Sequence, residues 1–173
     1  MKQLVVYSSQ GGNTKKLAEA AFLRLSGEKD IYPVAKAPAP GEYDVAIIAF
    51  WFKGGQPDSA SQEYLKKCTG PTRVFLIGCH GADPESDPAR MGMNKAMEFA
   101  SGATVVGSFN CRGEVPQQVL ENAANQDPQP AWLQDAPAAK GHPDNDDIYN
   151  LYKAMEKSGV VECPKPGEKR MFS

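Results

Sequence analysis

Four mostly apolar runs of strand length limit the folds that this 173-residue sequence can adopt. They cover residues 4–6, 43–50, 73–79 and 104–109. The run at 43–50 is nearly continuous rather than alternating, which is typical of a strand inside a parallel sheet with both faces covered. Segments with apolar residues at helical spacing separate the runs. Strands that alternate with helices predict parallel pairing through right-handed crossovers.

A shorter strand is predicted at residues 30–34, where Pro33 indicates a position at the sheet edge. Five strands in this arrangement predict an α/β fold of three layers. Its centre is a doubly wound five-stranded parallel sheet in the order 2-1-3-4-5, with helices on both faces. Ligands of such sheets bind at the carboxyl ends of the strands, where the direction of winding reverses. The predicted crevice gathers three loops, at residues 8–14, 51–58 and 79–87.

The first of these loops, residues 8–14, is rich in glycine and hydroxyl groups and lies between a strand and a helix. The free N–H groups at the start of a helix and the helix dipole favour an anion there, most often a phosphate. Gly11 and Gly12 allow the backbone to curve tightly around it. An ordinary strand-to-helix turn with Asn13 as the N-cap is the alternative. The sequence has neither the P-loop pattern nor the dinucleotide fingerprint.

The loop resembles the phosphate loop of the flavodoxins, in which [ST]-x-[TS]-G-x-T directly follows the first strand. Ser9, Gly12 and Thr14 match this pattern, whereas Gly11 stands where the family usually has a hydroxyl residue. Further motifs of small flavodoxin-like proteins extend the resemblance over nearly the whole chain. They are W-F-x-x-G-x-P-D at residues 51–58, F-x-C-R-G at 109–113 and H-P-[DN]-x-x-D at 142–147.

This resemblance implies that FMN is the cofactor, with its phosphate on the first loop and its isoalloxazine ring between the second and third loops. Trp51 would stack on the ring, and Gly54 and Gly55 would supply flexible backbone near the N5 atom. No catalytic residue and no metal ligand is predicted. The predicted cofactor-binding residues are Ser8, Ser9, Gln10, Gly11, Gly12, Asn13, Thr14, Phe50, Trp51, Phe52, Lys53, Gly54, Gly55, Cys79, His80, Gly81, Ala82 and Asp83.

The third loop departs from the flavodoxin pattern, because the family commonly has a tyrosine there and this chain has only His80. Either the ring is more exposed on that side, or a partner or substrate covers it. Arg112, after the fifth predicted strand, either meets an anionic ligand or forms a structural salt bridge. A thiolate–base pair of Cys79 and His80 is not expected, because neighbouring strand residues point to opposite sides.

Length and composition indicate one globular domain, at residues 1–159, and a C-terminal tail at 160–173. The apolar runs are too short for a membrane span, and the first strand begins too early for a secretory signal peptide. We therefore expect a cytoplasmic protein whose four cysteines are free thiols. The net charge of −2 argues against general nucleic-acid binding. It also differs from the strongly acidic character usual in carrier flavodoxins.

The first functional prediction is an FMN-binding electron-transfer protein that shuttles single electrons between two partner proteins, a reductase and an acceptor enzyme. The flavin would supply the chemistry and the protein would tune it, so no acid or base residue is required. Two alternatives stay open. One is an NAD(P)H-dependent flavin or quinone reductase on the same fold, in which residues 126–141 build a dimeric site. The other is a module that has lost its flavin and serves in binding or regulation.

Overall fold

A parallel sheet between two layers of helices forms the centre of the computed structural model, which describes residues 1–162. The strands are β1 (Lys2–Tyr7), β2 (Glu28–Pro33), β3 (Val45–Lys53), β4 (Gln56–Pro57), β5 (Arg73–His80) and β6 (Thr104–Arg112). The α-helices are α1 (Asn13–Arg24), α2 (Ser59–Lys66), α3 (Asp87–Phe99), α4 (Gln117–Ala124) and α5 (Asn145–Lys157). Three 3₁₀ helices cover Val34–Lys36, Pro40–Glu42 and Ala131–Ala139.

The order of the long strands is β2-β1-β3-β5-β6, and neighbouring strands in this path are parallel. This order confirms the doubly wound, three-layer α/β fold predicted from the sequence, with the proline-containing β2 at the edge. The short strand β4 was not predicted. It pairs antiparallel with the end of β3, so that Phe52 lies opposite Pro57 and Lys53 opposite Gln56.

Alternating side chains of the central strands supply two separate apolar layers. One face of the sheet, with Val5, Ile47 and Phe75, packs against buried residues of α1 and α5. The opposite face, with Leu4, Ile48 and Leu76, packs against α2 and α3. Because both faces of β3 and β5 are covered, the apolar residues of these two strands are buried in the core, whereas those of β6 are only partly buried.

Four strands extend beyond their predicted carboxyl ends, β1 and β5 by one residue each and β3 and β6 by three residues each, which corrects the sequence-based boundaries. Residues 51–53 were expected in a loop but belong to β3, because its pairing with β5 continues to Trp51 and Cys79. Likewise, Arg112 is the last residue of β6 and pairs with His80. Pairing to neighbouring strands is a long-range interaction, so local apolar composition does not show where a strand ends.

The segment between β6 and α5 contains helix α4 and the 3₁₀ helix Ala131–Ala139, neither of which was predicted. At the end of this segment, α5 begins with a reciprocal capping box between Asp144 and Asp147. Val160 is 1% exposed and packs in the core. The rest of the predicted tail, from Cys163 onward, lies outside the described residues. Within residues 1–162, no helix combines the length and the apolar character needed to cross a membrane.

Candidate functional site

A cleft of about 290 Å³ opens at the carboxyl ends of β3 and β5, where the predicted crevice was expected. It lies beside the start of α1, so the three predicted loops meet around it. Most of the predicted cofactor-binding residues line its walls. These are Ser9, Gln10, Gly11, Asn13, Thr14, Trp51, Phe52, Lys53, Gly54, Gly55, Cys79, His80, Gly81 and Ala82.

Four predicted residues do not line the cleft, each for a physical reason. The Phe50 side chain is fully buried and packs in the core against α2 and α3. Ser8 uses its hydroxyl to donate to Asp58 Oδ1 at 2.9 Å. Asp83 pairs with Arg112. Gly12 is the N-cap of α1, where its role is conformational.

The first loop presents an uncapped helix start to the cleft. Gly12 has a φ of +95°, a left-handed conformation that glycine adopts readily. Its N–H donates to Ser9 Oγ at 3.1 Å. Helix α1 has no side-chain cap and no acidic residue in its first turn, whereas Asp58, Ser86 and Asp144 cap α2, α3 and α5. The first turn of α1 therefore keeps free N–H groups at the cleft.

The alternative role of Asn13 as the N-cap is wrong. Its side chain instead donates from Nδ2 to the Glu114 carbonyl oxygen at 2.9 Å. That hydrogen bond joins the first loop to the segment that follows β6. Thr14 is 2% exposed, yet it lines the cleft wall.

The second loop is a tight hairpin between β3 and β4 rather than an open loop. Gly54 and Gly55 have φ values of +63° and +77°, as a two-residue hairpin turn requires. Just before the turn, Trp51 and Phe52 project to opposite sheet faces, as neighbouring strand residues do. The Phe52 ring fits where Gly92 leaves space, since a Cβ there would lie 2.2 Å from the ring.

Asp58 connects the first loop to this hairpin. Its carboxylate is 4% exposed and accepts hydrogen bonds from the Ser8 hydroxyl at 2.9 Å and from the Ser61 hydroxyl at 2.7 Å. The Ser61 N–H donates to the same carboxylate at 3.2 Å, which caps α2. The Asp58 N–H also donates to the Trp51 carbonyl oxygen at 3.0 Å. Asp58 thus joins two walls of the cleft, through its carboxylate to Ser8 of the first loop and through its backbone N–H to Trp51.

His80 is the last residue of β5 and belongs to the predicted third loop; it is 7% exposed. Its Nε2 lies 2.8 Å from Asn110 Oδ1, and its ring centroid lies 4.6 Å from that of Phe52. Burial lowers the pKa of His80, which favours the neutral imidazole. Its Nδ1 is buried and has no hydrogen-bond partner among the described residues.

Arg112 pairs with Asp83 of the third loop, so the structural salt bridge weighed in the sequence analysis is the role that the structure shows. The Asp83 N–H in turn donates to Asp135 Oδ2 at 3.2 Å. Asp135 belongs to the 3₁₀ helix Ala131–Ala139. The third loop is therefore held between β6 and the segment that follows it.

This segment forms a fourth wall that sequence reasoning missed. It contributes Gly113, Glu114, Val115, Pro116, Val119 and Trp132 to the cleft, and Pro88 of α3 adds to the lining. The only available signal was Trp132, one of two tryptophans, in an otherwise small and polar stretch. The wall is anchored because the Gly113 N–H donates to the His80 carbonyl oxygen at 2.8 Å.

Three of the predicted free thiols fall within the described residues, and all three are buried. Burial raises the pKa of Cys68 to about 11. Cys79 lines the cleft and faces Cys111 across β5 and β6. A hydrogen bond with Cys79, together with burial, raises the pKa of Cys111. Their raised pKa values make Cys68 and Cys111 poor nucleophiles at neutral pH, since the thiolate is the reactive form.

A second group of possible ligands lies at the start of α5. The Nδ1 of His142 lies 2.6 Å from Asp147 Oδ2 and 3.8 Å from Asp144 Oδ2. Both carboxylates already accept backbone hydrogen bonds in the capping box of the helix. These interactions account for the group as a helix start, so it is not assigned a role in the cleft.

The residues of the cleft fit FMN in two respects. A phosphate suits the uncapped N–H groups of α1 and the hydroxyl residues Ser9 and Thr14. There is also room for it at Gly11, because nothing lies within 4 Å of a Cβ built there. Trp51 and the apolar part of the fourth wall suit a flat aromatic ring. One end of the cleft therefore suits an anionic group, and the other end suits an aromatic ring.

Comparison with known protein families gives a match to the flavodoxin domain over residues 4–156. Two relatives, both called flavodoxin-like domain-containing protein BilS, cover most of the chain. The protein of Clostridium symbiosum is 31% identical over an alignment of 192 residues, gaps included, which covers 94% of this chain and 100% of the relative. That of Clostridioides difficile is 27% identical over 161 residues, which span 86% and 91%.

Solved structures of low sequence identity share the fold. The flavodoxin of Streptococcus pneumoniae TIGR4 superposes with a TM-score of 0.61 at 16% identity, over 92% of this chain and 99% of that one. A flavoprotein from Lactobacillus acidophilus NCFM, solved in complex with FMN, gives a TM-score of 0.52 at 17% identity. That alignment covers 63% of this chain and 92% of the flavoprotein.

Proposed function

This chain belongs to the flavodoxin domain family, and from that premise we propose that it binds FMN and carries single electrons. The partners would be two proteins, a reductase and an acceptor enzyme, and the location would be the cytoplasm. The observation that carries the proposal is the meeting of an uncapped helix start and Trp51 in one cleft. The FMN complex of the Lactobacillus flavoprotein, which has the same fold, supports the choice of cofactor.

The phosphate of FMN would be held by the start of α1, by Ser9 and Thr14, and by the backbone at Gly11, while Gly12 shapes the loop through its left-handed conformation. These donors are neutral, and the first turn of α1 has no acidic side chain that would repel a phosphate. The ring would lie against Trp51, beside the Gly54–Gly55 turn and the third loop. Bound FMN supplies one- and two-electron redox chemistry.

The chain's own residues favour transfer of electrons one at a time. An apolar wall and neutral phosphate donors leave added negative charge on the ring poorly compensated, which makes full reduction harder. The charged residues that line the cleft, Lys53 and Glu114, have opposite signs, and both are exposed. Among the buried thiols, Cys68 and Cys111 have raised pKa values, so neither is a prepared nucleophile.

Residues 126–141, weighed as the element of a dimeric reductase site, include Trp132 and Asp135, which contact the third loop of the same chain. This packing supports the carrier over the reductase, because the segment completes its own cleft.

The test is a visible spectrum of the purified protein, followed during slow reduction without oxygen. We expect flavin absorption bands and reduction in two resolved one-electron steps. Steady oxidation of NAD(P)H without an added reductase would instead identify a flavin or quinone reductase. If the protein contains no flavin and takes up none from added FMN, the proposal is wrong and the flavin-less binding module is the better description.

A further inference from the structure

The third loop offers no aromatic surface of its own to a ring in the cleft. Gly81 and Ala82 are small, and Ala82 is 3% exposed. The imidazole of His80 is turned into the protein, where it contacts Phe52 and pairs with Asn110. The loop that commonly supplies a tyrosine in flavodoxins is therefore only a backbone support here.

Two side chains of the following segment lie directly on this loop. A Cβ built on Gly81 would stand 2.7 Å from Val115 Cγ2 and 3.3 Å from Trp132 Cε3. A Cβ at 2.7 Å would overlap with Val115, and one at 3.3 Å would be in tight contact with Trp132, so the bare backbone of Gly81 leaves room for both side chains to pack on the loop. Both Val115 and Trp132 also line the cleft. They occupy the third-loop side of the cleft, for which the prediction was either an exposed ring or a ring covered by a partner or substrate.

Hydrogen bonds at both ends hold the wall in this position. Near Trp132, the Asp135 carboxylate accepts from the Asp83 N–H at 3.2 Å. Near Val115, the Asn13 side chain donates to the Glu114 carbonyl oxygen at 2.9 Å, and the Glu114 N–H donates to the His142 carbonyl oxygen at 2.9 Å. The segment is thus tied to the first loop, the third loop and the start of α5. A wall tied at these points presents a preformed surface to a ligand.

We propose that Trp132 is the second ring-stacking residue of the cleft, with Val115 and Val119 beside it. The inference rests on the proposed function and adds a specific ligand group, because it assigns a flat aromatic ring to the space between Trp132 and Trp51. The aromatic surface comes from the segment after β6 rather than from the third loop. The ring is then covered by the chain itself on both faces.

The test compares the binding of FMN and of riboflavin, which has the same ring without the phosphate. In Trp132→Ala, we expect the dissociation constants of both ligands to rise at least tenfold and by the same factor, since only ring contacts are lost. Trp132→Phe should stay within about threefold, because stacking area is retained. Gly12→Val, at a φ of +95°, should weaken FMN more than riboflavin by altering the phosphate loop.

Leu133→Ala is the matched control. Leu133 is half-buried in the same 3₁₀ helix but does not line the cleft, so its truncation should disturb the helix and leave both dissociation constants within about twofold. Circular dichroism spectra of all variants establish that they are folded.

The outcomes separate the two proposals. Binding of FMN by the wild-type protein with unchanged affinity in Trp132→Ala would overturn the role of Trp132 and leave the proposed function intact. The same holds if Trp132→Ala weakens FMN but not riboflavin, because the contact would then be to the phosphate. A wild-type protein that binds neither ligand overturns both proposals.

Discussion

At the scale of residues, Trp51 lies opposite Cys79 in the register of β3 and β5, so strand pairing fixes the position of the Trp51 backbone. A backbone fixed in this way holds the Trp51 side chain at the wall of the cleft before a ring stacks on it. We expect Trp51→Ala to weaken FMN binding by about 1–3 kcal/mol, the usual value for stacking of an aromatic heterocycle on an aromatic side chain. It should also raise the potential of the second electron step, because water then reaches the ring. Titration and potentiometry of the variant measure both effects, and unchanged values would mean that Trp51 packs without stacking.

The buried thiol of Cys68 allows a prediction about pH. Its pKa of about 11 leaves about one molecule in a thousand as thiolate at pH 8, and the side chain is 0% exposed. Alkylation by iodoacetamide in the native protein should therefore be at least about a hundredfold slower than in urea, and should accelerate as the pH rises toward 11. Mass spectrometry of the Cys68 peptide gives the rates. Equal rates in native and unfolded protein would contradict the burial of this thiol.

At the scale of elements, the sequence predicts the strands and their order well, but not the wall that completes the cleft. The runs at 43–50 and 73–79 are apolar because both faces of β3 and β5 are covered, and that need is visible locally. Trp132 carries no such local signal. Its role depends on Gly81, which is distant in sequence, and on hydrogen bonds such as that between Asp83 and Asp135. Contacts of this kind arise from tertiary packing, which periodicity does not encode.

Asp58 is a second case in which an element depends on a distant contact. Because its carboxylate caps α2 and also accepts from Ser8, Asp58→Ala should lower the free energy of unfolding by about 2–4 kcal/mol. It should also weaken FMN binding, since the first loop loses its link to the hairpin. Asp144→Ala removes the cap of α5, which does not contact Ser8, and should cost about 1 kcal/mol with little change in FMN affinity. Urea unfolding and FMN titration compare the two variants. Equal effects on FMN affinity would show that the Ser8 link is not needed for the site.

At the scale of the whole molecule, the charge of this chain sets how it meets a partner. The net charge is −2, and the charged residues that line the cleft, Lys53 and Glu114, cancel each other. Long-range steering needs a field of one sign, and salt screens such a field within about 10 Å at 0.1 M ionic strength. We therefore expect the rate of electron transfer from the reduced protein to a basic acceptor such as cytochrome c to change by less than about threefold between 0.05 and 0.5 M salt. Stopped-flow measurements over this range test it, and Lys53→Glu, which makes the mouth of the cleft acidic, is the matched comparison with a steeper expected dependence. The expected weak dependence follows because a near-neutral mouth leaves recognition to shape and apolar contacts at the exposed edge of the cleft. A steep fall in the wild-type rate would contradict the prediction and would indicate that acidic residues elsewhere on the surface guide the partner.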